Sequence, residues 1–327
     1  MVNGLSTPVA FIIFNRSERT AEVFGAIRAA RPAQLFVIAD GPRPDVESDA
    51  TKCAATRAII ERVDWPCQIF RRYADKNIGL RRNVSEGLDW VFNQTERAII
   101  LEDDCLPDPS FFPFCEELLE RYAEDRHVAA ISGTNLDPAR NVPPGDDSYY
   151  FSRFCHIWGW ATWRRAWQLC DHEMKDWPAL RRTDLLERIT ASARAQNFWR
   201  QHFDDSHARK RDGLNTWDVA WLFACWRNDL VSIVPRDNLV ANIGFGIDAA
   251  HTKSSTRAAR LPTTSMQFPL GHPKEENVNT TADRHIQENF FEGITPGQRL
   301  FWTLRLPLPI WAVRRTQGWL RTIFNRR

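Results

Sequence analysis

Four short apolar runs punctuate the first 135 residues: PVAFIIF at 8–14, QLFVIAD at 34–40, RAIIL at 97–101 and HVAAISG at 127–133. Each reads as a buried strand, and CQIFRR at 67–72 adds a further one. The segments between them repeat at helical spacing instead. SERTAEVFGAIRAA (17–30) sets Val23, Phe24 and Ile27 on one face, and a helix is expected around 48–63. GLRRNVSEGLDWVF places Leu80, Val84, Leu88 and Val91 or Phe92 in register. Asp108 is placed to cap, and Pro109 to open, a helix that carries Phe112, Cys115, Leu119 and Tyr122. Strand–helix alternation of this kind predicts an α/β fold with a mainly parallel central sheet and helices on both faces.

After residue 135 the rhythm changes. DPARNVPPGDDS (137–148) reads as a loop, followed by aromatic-rich pieces, a polar helix near 183–203, an apolar helix in TWDVAWLFACW and a strand in LVSIVP (230–235). There is no internal repeat and no separate linker, so 136–252 is expected to complete the body begun by 1–135. The stretch 253–292 reads as a polar loop region. From 293 to 327 there is no acidic residue, and seven arginines alternate with Trp, Leu, Ile and Phe. Such a tail has the makings of an interfacial helix on anionic lipid; the competing reading is a terminal helix docked on the body.

Several classes are disfavoured by the totals. A formal net charge of +2 over 327 residues gives no global field for nucleic acid. The seven cysteines are scattered, odd in number and without C-x-x-C spacing, which argues against a disulfide framework or a zinc site. The first residues lack a basic leader, and no run reaches the roughly 18 apolar residues of a membrane span. The expected location is the cytoplasm, with the tail offering contact to the inner face of the cell membrane.

Chemistry concentrates where the apolar runs stop. RAIIL leads directly into Glu102, Asp103 and Asp104, three carboxylates that repel one another at the tip of a buried strand. Ligands of open α/β sheets bind beyond the carboxyl ends of the strands. Successive side chains there alternate in direction, so the three cannot all hold one ion. A hard divalent cation, Mn²⁺ or Mg²⁺, relieves the repulsion, since such sites use one or two carboxylates plus substrate phosphates. The plain alternative is an acidic loop in water. Polar clusters also follow the other runs: Asn15 and Arg16 after the first, Asp40 and Arg43 after the second, and Asn77, Arg81 and Arg82 ahead of a helix. Carboxylates there can accept from a base or ribose, and arginines can pair with phosphate. Neither a G-x-x-x-x-G-K-[ST] nor a G-x-G-x-x-G loop is present, so a diphosphate would need a metal and basic side chains.

The EDD triplet followed by PDPSFFPFC resembles the metal motif and next helix of GT-A-fold glycosyltransferases, especially the N-acetylglucosaminyltransferase I family. Downstream, FCHIWGWATW (154–163), NTWDVAWLFACWRND (215–229) and VPRDNLVANIGFGIDAAHT (234–252) resemble that family's later motifs in the same order. The chain is also similar to bacterial family-2-like sugar transferases, some of which carry a hemolytic-protein label. The resemblance covers about residues 8–252. It implies a GT-A fold and a metal-dependent, inverting transfer from a nucleotide-sugar, such as a UDP-sugar, to a glycan or lipid-linked acceptor. Asp104 would then bind the metal, with His251 approaching it or the diphosphate. Glu102 and Asp103 would position ribose and donor sugar, Asp40 the uracil edge, and Asn15 and Arg16 would line the nucleotide pocket. Asp218 matches the catalytic base, and Trp158, Gly159, Trp160 and Trp217 fall on the acceptor side. Where the family has two adjacent aspartates, this chain has Asp218 followed by Val219. Two other classes stay open: a metal-dependent nucleotidyltransferase or phosphohydrolase, and a non-catalytic sugar- or lipid-binding protein.

Overall fold

A computed structural model describes residues 4–141, 143, 145–208, 216–244 and 261–292. Strands β1 (Val9–Ile13), β2 (Gln34–Ala39), β3 (Gln68–Tyr73) and β4 (Arg97–Glu102) alternate with helices α1 (Ser17–Ala30), α2 (Asp49–Arg57) and α3 (Leu80–Phe92). A short strand β5 (Cys105–Pro107) precedes α4 (Phe111–Arg121), which is followed by β6 (Val128–Ser132). Then come β7 (Tyr149–Ser152), β8 (Trp160–Trp163) and five helices: α5 (Arg164–Trp167), α6 (Trp177–Leu180), α7 (Leu185–Ile189), α8 (Ala193–His207) and α9 (Asp218–Arg227). The remaining elements are β9 (Val231–Pro235), β10 (Val240–Asn242) and α10 (Thr280–Ile286).

The main sheet has eight strands in the order β3-β2-β1-β4-β8-β6-β9-β7. Its first four strands are parallel to their neighbours. β8 then runs antiparallel to both β4 and β6, β9 is parallel to β6, and β7 is antiparallel to β9. The sheet is therefore mixed rather than simply parallel, and HVAAISG does not close it: β7, β8 and β9 from the second half complete it. The aromatic-rich pieces were the part that sequence pattern left unassigned. WATW is a four-residue strand buried on both faces, too short to show a period.

Alternation along the strands sorts the core into two layers. Val9, Phe11 and Ile13 of β1, with Ile99 and Leu101 of β4, pack beneath α1 and α4. Ala10, Ile12, Ala98 and Ile100 pack on the other face with Leu88 of α3, Trp160 of β8 and Trp221 of α9. Both faces being covered explains why these strands are apolar throughout. The expected start of α4 shifts by two residues. Asp108 caps no helical turn directly; its Oδ1 accepts from the Ser110 N–H at 2.9 Å and the Ser110 hydroxyl at 2.6 Å, and the helix begins at Phe111. The polar helix near 183–203 is divided into α7 and α8, and 253–292 holds α10 as well as loop. All seven cysteines are free. No helix among the described residues is long and apolar enough to cross a membrane. The tail from 293 lies outside the described residues.

Candidate functional site

The strand order places a switch point between β1 and β4. The chain moves outward from β1 to β2 and β3, then returns to the other side of β1 as β4, and the loops diverge there to open a crevice at the carboxyl edge. In the parallel register Ile12 lies opposite Glu102, so Asp103 and Asp104 emerge level with the turn from β1 into α1. Arg16 stands on that turn.

Alternation along β4 sends Glu102 with Ala98 and Ile100 toward α9, and Asp103 with Ile99 and Leu101 toward α1. It stops there: the strand ends at Glu102, and residues 103–104 form a turn. The turn brings both aspartates to Arg16, which bridges Asp103 Oδ1 at 2.7 Å and Asp104 Oδ2 at 2.9 Å. Burial raises the Asp103 carboxyl above the usual range, against the pull of Arg16. Burial also raises Glu102, helped by the charges of Asp104, Asp103 and Asp218. The charge of Asp218 thus reaches the triplet from the opposite layer. Burial opposes the charge on Arg16, but Asp103 and Asp104 more than offset it and hold the guanidinium above its ordinary value. The mutual repulsion of the acidic residues is relieved here by an arginine.

A second segment closes on the triplet. β10 pairs antiparallel with β5, aligning Asn242 with Cys105, and the Ile243 N–H donates to the Asp104 carbonyl at 2.8 Å. Gly244 follows so closely that a Cβ there would stand 2.3 Å from Asp104 Oδ2. Neither β5 nor the β10 contact was foreseen from sequence. Three residues carry no apolar period, and their pairing partner is more than 130 positions away.

On the other flank, Trp217 stacks on Trp160 with centroids 5.6 Å apart and planes at 19°. That stack sets the start of α9, where Asp218 is the first helical residue and Trp217 the cap. Asp218 Oδ1 is buried and has no hydrogen-bond partner among the described residues. A simple helix-capping role would have given it one. Asp103 Oδ2 is likewise buried and unpartnered among the described residues. Unmet carboxylate oxygens of this kind call for a specific cause.

The remaining predicted residues fall into separate groups. Asp40 is buried and accepts four hydrogen bonds: from the N–H groups of Gly41 (2.8 Å), Ile78 (2.9 Å) and Gly79 (3.1 Å), and from Asn77 Nδ2 (2.9 Å). Those occupy the lone pairs a base edge would need, so Asp40 and Asn77 act together to hold the 77–79 turn. Asn15 donates to Asp49 Oδ1 at 2.8 Å, and Arg43 grips the same carboxylate at 2.6 Å. Arg81 donates to the His172 carbonyl, and Arg82 pairs with Glu86 on an exposed helical face. Trp160 and Trp217 are buried core residues and present no face to an acceptor. Trp158 is only partly buried, and its carbonyl accepts from Thr134 Oγ1 at 2.7 Å. Gly159 has a φ of 64°, which its lack of a Cβ permits, and its carbonyl accepts from the Gly133 N–H at 2.7 Å. His156 is buried, which lowers its imidazole to about 4 and keeps it neutral. His251 lies outside the described residues.

Arg19 was missed. It sits one turn beyond Arg16 on α1, where its charge acts on Asp103 and its Nη1 reaches the Gly244 carbonyl at 3.4 Å. The i, i+3 spacing of two arginines at a helix start was the available signal. A shallow hollow lined by Asp89, Phe92, Trp167, Cys170 and His172 lies at the C-terminal end of α3, on the opposite edge of the sheet from the triplet.

Among the described residues no three His, Cys, Asp or Glu side chains converge as a preformed metal cage. Asp104 nevertheless suits a hard cation that takes one carboxylate and completes its shell with phosphate oxygens and water. Its side chain keeps 17% exposure, and its hydrogen-bonding partners among the described residues are Arg16 on Oδ2 and the Cys105 thiol, at 3.6 Å, on Oδ1. The donors are oxygens, as Mn²⁺ or Mg²⁺ requires. No protein-family model matches the sequence, and no curated protein matches it significantly.

Proposed function

We propose that the chain is a metal-dependent glycosyltransferase of GT-A type. It would move a sugar, with inversion, from a nucleotide diphosphate donor such as a UDP-sugar to a hydroxyl of a glycan or lipid-linked acceptor. One observation carries the reading: an acidic triplet at the sheet's switch point, two of its carboxylates bridged by Arg16, with α9 packed on the same sheet and opening on Asp218, whose Oδ1 is buried and unpartnered among the described residues. That arrangement would supply a diphosphate end and a base end.

Asp104 would hold the cation, with His251 a further candidate. A bound Mn²⁺ or Mg²⁺ would neutralise the diphosphate as it leaves. Arg16 and Arg19, at the start of α1, add fixed positive charge where the leaving group gathers negative charge, aided by the helix N-terminus. Asp218 is the general base: its unpartnered Oδ1 can accept the acceptor hydroxyl's proton as the oxygen attacks the anomeric carbon from the face opposite the diphosphate. Glu102, the last residue of β4, would accept a hydrogen bond from a sugar hydroxyl between the two ends. Partly exposed Trp158 is the remaining aromatic suited to stack on the acceptor.

Incubation with a panel of nucleotide sugars and Mn²⁺ or Mg²⁺ tests the reading through slow release of nucleoside diphosphate. Failure of every nucleotide sugar to bind or turn over with either ion would remove it. The basic aromatic tail fits a lipid-linked acceptor at a membrane face, and unchanged liposome association after deletion of 296–327 would withdraw that part alone.

A further inference from the structure

Arg16 occupies an unusual position for a residue beside a cation site. Its Nη2 lies 2.7 Å from Asp103 Oδ1 and its Nη1 2.9 Å from Asp104 Oδ2, so one guanidinium spans both carboxylates in the ligand-free chain. Arg16 is 28% exposed in its side chain, Asp103 only 3% and Asp104 17%. The planar fork of arginine suits such bridging, which the point charge of lysine does not. Asp104 Oδ2 is further crowded by Gly244, so Arg16 and the backbone at 244 enclose the oxygen together.

We infer that Arg16 is a resident counter-ion that competes with the divalent cation for Asp104 and yields it only when a diphosphate arrives. This rests on the proposed donor site. While the guanidinium holds Asp103 Oδ1 and Asp104 Oδ2, an incoming cation must displace it from Asp104 against like-charge repulsion. A diphosphate gives Arg16 a bidentate partner of its own, drawing it off Asp104. Cation and nucleotide then bind with mutual support because each removes the other's obstacle. The device keeps Asp103 and Asp104 paired with a cationic side chain between turnovers.

Titration of Mn²⁺ by electron paramagnetic resonance, with and without UDP, tests the coupling directly and requires no turnover. Wild-type protein should bind Mn²⁺ at least tenfold more tightly in the presence of saturating UDP. Arg16→Met should bind Mn²⁺ at least tenfold more tightly than wild type when UDP is absent, and the UDP effect should shrink. Arg16→Lys, which keeps a charge but not the fork, should fall between them and covers the case in which the methionine variant does not fold. A UDP effect in the wild type with no gain in either variant overturns the inference while leaving the donor site intact, and equal Mn²⁺ affinity with and without UDP in the wild type overturns both. Absence of Mn²⁺ binding in every protein with UDP present sinks the donor-site reading and this inference with it.

Discussion

Trp217 lies flat against Trp160, their planes within 19° of parallel, and this stack joins the first turn of α9 to the strand beside β4. Both indoles are buried, and Trp167 and Trp221 close around them at centroid distances between 5.7 and 6.2 Å. The pair therefore fixes the spacing between Asp218 and the acidic triplet. Replacing Trp217 with Ala should destabilise the fold by about 3–5 kcal/mol, as expected for emptying a buried aromatic site. Trp217→Phe should retain most of that stability yet still lower transfer, because the shorter ring lets α9 settle inward. Urea unfolding and turnover, compared for the two variants, separate stability from positioning.

A second carboxylate governs acid stability. Asp49 is buried and held by Arg43, whose hydrogen bond is the main cause of its carboxyl falling to about 2, with Asn15 assisting. A folded-state value below the unfolded one means the stabilisation is complete above about pH 4 and is lost as pH falls toward 2. Arg43 is half-exposed, so solvent screening reduces the contribution to about 1 kcal/mol. In Asp49→Asn the urea midpoint should therefore depend less on pH between about 4 and 2 than in the wild type. Parallel curves in that window would contradict the assignment.

These two cases show what a one-dimensional pattern carries. β1, β2, β4 and β6 were legible because double-sided burial demands unbroken apolar runs, and the triplet stood out because charge follows one of them without a gap. Alternation accounts for Glu102 and Asp103 facing apart, but not for Asp104, which a turn at 103–104 brings back to the same arginine as Asp103. Partner choice could not. Arg16, Asn15 and Arg43 all looked like nucleotide contacts, yet Arg16 meets the triplet while the other two meet Asp49, a residue that nothing in its local sequence marks as buried. Trp160 looked like a sugar platform because tryptophan serves surfaces and cores equally well; only packing distinguishes them. β8 and β10 were invisible for a simpler reason. Strands of four and three residues have no room for a period, and their hydrogen bonds come from distant strands.

Gly244 offers a steric test of the site's far wall. A methyl group there would lie 2.3 Å from Asp104 Oδ2 and 2.9 Å from Asn242 Oδ1, closer than real contacts allow. Its N–H also donates to Asn242 Oδ1 at 2.8 Å, which fixes the turn. Gly244→Ala should push the Asp104 carboxylate aside and weaken Mn²⁺ affinity in the presence of UDP by about tenfold, roughly 1.4 kcal/mol. Thermal stability should change little, since the residue sits at the end of a three-residue strand. Calorimetric titration measures the first and a melting curve the second.

Arg19 separates electrostatic from structural roles. Among the described residues it makes a long contact of 3.4 Å to the Gly244 carbonyl, and it stands one helical turn from Arg16. Arg19→Ala should leave stability within about 0.5 kcal/mol, as for a surface substitution away from packed contacts. UDP affinity should fall several-fold, with a flatter dependence on salt than in the wild type. Unaltered UDP affinity at low ionic strength would remove Arg19 from the diphosphate site.

Asp104 and Asp218 should fail in opposite ways, because one is paired with Arg16 and the other is not. Asp104 sits with Arg16 at the cation end, whereas Asp218 opens α9 with an unpartnered buried oxygen. Asp104→Asn keeps the shape but loses the charge that attracts Mn²⁺, so metal and UDP binding should weaken together. It also releases Arg16 from one of its two partners, and some UDP affinity without metal should survive. Asp218→Asn should leave both affinities near wild type and lower turnover by about 10²–10⁴, the usual worth of a general base. An added small nucleophile such as azide, which needs no deprotonation, should restore donor cleavage in Asp218→Asn but not in Asp104→Asn. Equal loss of UDP affinity in both variants would mean that the two carboxylates form one binding site, and the division of labour between them would be wrong.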